Sequence, residues 1–142
     1  MLRQAKHIAA RLRWTAPALA VAMSCCTVPQ PPKPDDNAFP ASYKDDVVYY
    51  MPTHLQDPTN IRGAFISEPV LMPVGSTQRW TSCVRFNPRT AGRRYSGSED
   101  RLAIYYGGKL TQFVAATPAQ CANAAYKPFP ELEKICRAER CD

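Results

Sequence analysis

Between Arg79 and Phe86 the side chains alternate. Trp80, Ser82, Val84 and Phe86 fall on one side and Arg79, Thr81, Cys83 and Arg85 on the other, the period of two that a β-strand requires. Two apolar runs, Leu102 to Tyr106 and Leu110 to Val114, flank Gly107-Gly108. Glycines tolerate the positive φ angles of a two-residue turn, so this segment predicts a tight hairpin. Ala64 to Ile66 and Val70 to Val74 read as shorter strand pieces. Pro69 between them suits a sheet edge, because proline donates nothing to a ladder.

Helical spacing replaces the alternation at both ends of this region. Ser42 precedes Asp45 in a capping arrangement, and Tyr43, Val47, Tyr50 and Met51 then recur on one face. Pro52 predicts a stop near Met51, unless the helix bends over it and Leu55 extends the apolar stripe. Asp57-Pro58 reads as an N-cap and first-turn proline opening a short helical turn that Gly63 closes. Thr117-Pro118-Ala119-Gln120 carries a cap, an N1 proline and a glutamine at the third position, predicting a helix to about Tyr126. Pro128 and Pro130 stop it, and a last short helix runs from Glu131 to Arg137. The order α, β, β, β, β, α predicts an α+β domain over residues 42–142: a small antiparallel sheet of three to four strands, with helices gathered on one face.

Composition changes the picture mainly at the N-terminus. Five of the 14 prolines fall between Pro29 and Pro40, in a stretch with little that a core could bury. Residues 25–41 therefore read as a tether, with a proline-rich partner motif as the alternative. Before it stand a basic stretch from Met1 to Arg13, an apolar run of roughly ten residues from Trp14 to Met23, and Ser24-Cys25. That run is about half the length a membrane-spanning helix needs. Residues 1–24 are thus expected to be a cleaved export signal. Ala22-Met23-Ser24-Cys25 resembles a bacterial lipoprotein signal, which implies a diacylglyceryl thioether on Cys25, with Cys26 as the second choice. Ordinary cleavage and secretion is the alternative.

Removing the signal also changes the charge. The chain carries a formal +6, but Arg3, Lys6, Arg11 and Arg13 lie in the expected signal, and 14 Lys and Arg against 12 Asp and Glu remain from Cys25 onward. So nearly neutral a domain predicts no nucleic-acid partner.

With Cys25 acylated, Cys83, Cys121, Cys136 and Cys141 can pair in three ways. A helix packed on the sheet would bring Cys121, in its first turn, to Cys83 in the central strand, so this pair is preferred, with Cys136–Cys141 as a second bridge. An oxidising compartment favours such pairing over thiolate chemistry. His54 is the single histidine after the signal, which predicts no metal site and leaves a cysteine nucleophile without a second base candidate. Asp45-Asp46 and Glu99-Asp100 are neighbours along the chain, not the facing carboxylates that acid and base catalysis needs. No enzyme and no cofactor is expected.

Arg79, Arg85, Arg89, Arg93 and Arg94 occur with no acidic residue between them, interleaved with Trp80, Phe86 and Tyr95. They form a candidate anion-binding surface offering forked donors to phosphate or carboxylate. The alternative is a solvated loop beside a strand edge. Asp57-Pro58-Thr59, the run Cys83-Val84-Arg85-Phe86-Asn87, and Gly92, Tyr95 and Gly97 together resemble small envelope proteins of Gram-negative bacteria. The resemblance implies an exported α+β domain and no particular activity. The expectation is a non-enzymatic lipoprotein facing the periplasm, on the outer membrane in preference to the inner. It would bind or support an envelope protein, an anionic lipid or a cell-wall component. The alternative is a soluble periplasmic or secreted domain that binds an anionic ligand through Arg79 to Arg94.

Overall fold

In the computed structural model the alternating segment forms the long central strand of an antiparallel sheet. The structure describes residues 35–135. The expected signal, the tether up to residue 34, and Cys25, Cys26, Cys136 and Cys141 lie outside them. Helix α1 (Tyr43–His54) leads into strands β1 (Asp57–Ile66), β2 (Val70–Val74) and β3 (Thr77–Arg89), then β4 (Glu99–Tyr106) and β5 (Lys109–Ala115). A short helix α2 (Pro118–Cys121), a two-residue strand β6 (Lys127–Pro128) and a short helix α3 (Pro130–Glu133) complete the order. The six strands run β5-β4-β3-β1-β6, with β2 pairing the first half of β3. The sheet is thus larger than the three to four strands expected: both short pieces join it, with β1 extended back to Asp57, and the two-residue β6 is too short to leave a periodic signal.

The Asp57-Pro58 segment shows why. Asp57 does accept the Thr59 N–H at 3.0 Å, as an N-cap would, but Asn60 then turns left-handed (φ 54°) and the chain enters the ladder instead of a helix. Register shifts between Asp57 and Arg62, and between Arg62 and Phe65, mark β1 as bulged. Gly63, at φ 58°, accommodates the second shift.

Helix α1 continues through Pro52 to His54, the bent alternative, and the Leu55 N–H closes it on the Met51 carbonyl at 3.1 Å. The Ser42 side chain makes no cap. Met51 and Val47 pack with Ile66, Val84, Phe86, Tyr105, Phe129 and Leu132 into the main core, so α1 and α3 cover one sheet face. Burying a large apolar side chain of this kind stabilises by about 2 kcal/mol.

The other face carries a smaller cluster of Cys83, Leu102, Ile104 and Cys121. Helix α2 therefore sits opposite α1 and α3, which corrects the expectation of helices on one face. It also explains why Thr81, Ser82, Cys83 and Val84 are all buried: β3 is covered on both sides at its centre. Cys83 and Cys121 are disulfide-bonded. Closing a loop of 38 residues contributes about 4 kcal/mol by chain entropy. Gln120 Oε1 accepts the Thr117 N–H at 2.8 Å, so the predicted cap forms, yet the helix ends at Cys121 instead of Tyr126. The chain leaves the helix there because Tyr126 is held on the sheet by Arg85 and Asp100.

The hairpin forms as predicted, with Gly107 at φ 55° and Gly108 at φ 75°. Chain assigned to the tether is docked against it. The Gly107 N–H donates to the Asp36 carbonyl at 3.0 Å, Trp80 Nε1–H donates to the Asn37 carbonyl at 2.9 Å, and Phe39 meets the Trp80 ring edge-on at 5.0 Å. Pro40 is buried. The folded part therefore includes residues 35–41, which form a strap across the Trp80 end of β3.

Candidate anion-binding cleft

Where β1 and β3 meet at their Asp57 and Arg89 ends, Asp57 and Arg89 are opposite one another in register. Arg89 Nη2–H and Nε–H donate to Asp57 Oδ2 at 2.8 and 3.0 Å. Their side chains are only 15% and 17% exposed, so the pair is worth more than an open surface contact. Thr59 adds its own N–H and hydroxyl to Asp57 Oδ1. The bonds from Thr59, ahead of those from Arg89, lower the Asp57 pKa to about 2, holding it as a carboxylate.

Above this base the loop after β3 folds back. Thr90 N–H donates to the Arg94 carbonyl and Arg93 N–H to the Thr90 carbonyl, a turn that places Arg93 at φ 60°. Tyr95 returns to bridge Arg89, and its hydroxyl donates to the Asn60 carbonyl at 3.0 Å. The Arg62 guanidinium lies over the Tyr95 ring, 4.4 Å from its centre. Together these groups wall a polar cleft of about 580 Å³, which Gln56 and Glu133 also line. Its volume falls within the usual range for small-ligand sites.

Two features distinguish the cleft. Asn60 and Arg93, the two non-glycine residues at positive φ among those described, both line it. Left-handed backbone costs a residue with a Cβ on the order of 1–2 kcal/mol, and such residues concentrate at functional sites. The second feature is charge. Arg62, Arg89 and Arg93 face Asp57 and Glu133, which leaves one net positive charge around the opening. Arg62 and Arg93 belong to none of the five ion pairs among the described residues.

The five arginines singled out in the sequence are thus divided. Arg89 and Arg93 reach the cleft. Arg94 sits in the adjoining turn, exposed and outside the lining. Arg85 grips Asp100 with two bonds of 2.7 and 2.9 Å and lies over the Tyr126 ring at 4.4 Å. Burial, followed by the neighbouring carboxylate, pushes the Tyr126 phenol up to about 12, and Arg85 is held firmly protonated by Asp100. Arg79 lies over Tyr106 at 4.6 Å and reaches the Asp36 carbonyl of the strap. At about 3.3 Å per residue it is some 30 Å along β3 from Arg89. Arg62 was missed because Asp57 to Gly63 read as a helical turn, and its approach to Tyr95 depends on the β1–β3 register. The opposite charges of Asp57 and Arg89 were the available hint of that register.

Other groups offer less. His54 ends α1, with Nδ1 2.8 Å from the Tyr50 carbonyl and its ring stacked on Tyr50 at 3.4 Å. Among the described residues no cluster of three His, Cys, Asp or Glu could hold a metal. A second hollow of about 400 Å³, beside the disulfide and lined by Val70, Met72, Thr81 and Ala124, gathers no comparable charge. Compared with the models of known protein families, with curated proteins and with solved structures, the chain finds no match in any of the three.

Proposed function

We propose that this chain is an exported, lipid-tethered envelope protein whose folded domain is a non-enzymatic binding module for an anionic envelope component. The observation that supports the binding half is the convergence of Arg62, Arg89 and Arg93 on one polar cleft, two of them outside any described ion pair. The tethering half rests on the sequence, in which Ala22-Met23-Ser24-Cys25 follows a basic and an apolar run. The Cys83–Cys121 bond accords with an oxidising compartment.

The module binds through forked guanidinium donors held in place by the fold. Arg89 is fixed by Asp57 and serves chiefly to orient the wall, while Arg62, stacked on Tyr95, and Arg93 supply the donors to the ligand. Co-sedimentation of the Cys25→Ala chain with washed envelope fragments tests this, since the substitution removes the anchor. Binding that falls as salt is raised from 50 to about 500 mM is expected, because exposed charges are screened over a Debye length. Absence of binding at low salt would refute the module reading.

A further inference from the structure

We infer that the cleft takes a carboxylate of a cell-wall polymer, rather than the headgroup of the membrane that carries the protein. This inference rests on the binding-module reading and on the tether at Cys25.

The first ground is position. The strap joins the domain at the end of β3 marked by Arg79 and Trp80, where Asp36 and Asn37 are bonded. The cleft is at the other end, around Arg89 and Tyr95. From Trp80 to Arg89 the strand covers about 30 Å. Ten residue steps separate Cys25 from Asp35, a span of at most about 35 Å when fully drawn out. Presenting the cleft to its own bilayer would use up nearly all of that span, whereas a wall partner on the side away from the strap needs none of it.

The second ground is charge. One net positive charge around the opening matches a single carboxylate. A phosphomonoester carrying close to two charges would meet Asp57, which stays ionised with a pKa near 2, and Glu133 at the same wall, whereas the singly charged phosphodiester of a lipid headgroup is set apart by position and not by charge. The third is donor geometry: the Arg62 guanidinium, 4.4 Å over the Tyr95 ring, offers a fork of N–H donors that matches the paired oxygens of a carboxylate as it does those of a phosphate.

The test is hydrogen exchange on the full lipidated chain in phosphatidylcholine vesicles. It reads the backbone of residues 89–97 in four arms: no addition, phosphatidylglycerol in the vesicles, soluble disaccharide-peptide fragments from muramidase-digested wall, and the same fragments with their carboxyls amidated. At saturation the unmodified fragments are expected to slow exchange at least about fivefold. The amidated fragments and phosphatidylglycerol are expected to leave it unchanged. Arg62→Gln or Arg93→Gln is expected to weaken fragment binding about tenfold or more, as loss of a charge-assisted hydrogen bond does. Protection by phosphatidylglycerol and not by fragments would overturn the wall assignment while leaving the binding module standing. Protection by amidated fragments would overturn the carboxylate. Protection in no arm would overturn both readings.

Discussion

Arg89 and Asp57 are paired twice over, as opposite positions of the β1–β3 ladder and as an ion pair with Nη2 2.8 Å from Oδ2. The backbone register and the side-chain charge therefore specify the same alignment, and that alignment is what brings Arg62 over Tyr95. Replacing Asp57 by Asn removes the carboxylate that accepts two bonds from the largely buried Arg89 guanidinium. A loss of about 2–3 kcal/mol is expected in urea unfolding, at or below the lower limit for a fully buried pair because this one keeps some contact with solvent. A change under 0.5 kcal/mol would show that the pair does not hold the register.

The same carboxylate sets an acid limit. The folded pKa of Asp57 is about 2, below its ordinary 3.8, so the stability it contributes is fully present above about pH 5 and is lost as pH falls through 3.8 and then 2. Each pKa unit is worth about 1.4 kcal/mol, which makes the contribution on the order of 2 kcal/mol. Subtracting the Asp57→Asn profile from that of the wild type is expected to give a difference that is flat from pH 7 to about 5 and declines between about pH 5 and 2. A difference that declines between pH 7 and 5 instead would assign the effect to another group.

The Cys83–Cys121 bond fastens α2 to the sheet face opposite the main core. Cys83→Ala with Cys121→Ala is expected to lower stability by about 3–4 kcal/mol and to loosen Tyr126, whose hydroxyl donates to Asp100 at 3.0 Å. Thermal unfolding with and without reductant measures it. Equal midpoints for the double variant and the oxidised wild type would contradict the assignment.

Trp80→Phe keeps an aromatic ring against Phe39 and deletes the donor to the Asn37 carbonyl. Loss of about 1 kcal/mol is expected, with faster proteolysis before Ser42 and little change in the cleft. If residues 35–41 stay as resistant as in the wild type, the Nε1 bond is not what holds the strap.

At the N-terminus, metabolic labelling with palmitate is expected to mark the wild type and to fail for Cys25→Ala. Label that survives in Cys25→Ala and is lost in Cys26→Ala would move the anchor by one residue; label in neither protein would favour the secreted alternative.

Much of the fold was legible where the signal is local. Gly107-Gly108 marked the hairpin because positive φ at two successive positions is a property of those residues alone. The alternation of β3 and the cap at Thr117 were equally local, and together they were enough to choose Cys83 and Cys121 as partners. What escaped was decided by distant contacts. Asp57-Pro58-Thr59 makes the same first hydrogen bond in a helix start as it makes here, and only pairing with residues 85–89 draws it into a strand. Strand β6 is two residues long and exists because Phe129 is buried and its N–H donates to the Ala64 carbonyl at 2.8 Å. Of the arginine segment, Arg89 and Arg93 line the cleft, while Arg85 and Arg79 are engaged elsewhere, by Asp100 and Tyr106 of the neighbouring strand.

The cleft between β1, β3 and the loop bearing Arg93 is proposed to bind anions through Arg62 and Arg93. Its most direct test is the dissociation constant of the Cys25→Ala chain for washed wall fragments, with and without Arg62→Gln and Arg93→Gln together, and with thermal unfolding as the check on folding. The double variant is expected to bind at least about a hundredfold more weakly, two charge-assisted bonds being lost, with a midpoint within a few degrees of the parent. Equal affinity in a variant that folds normally would contradict it.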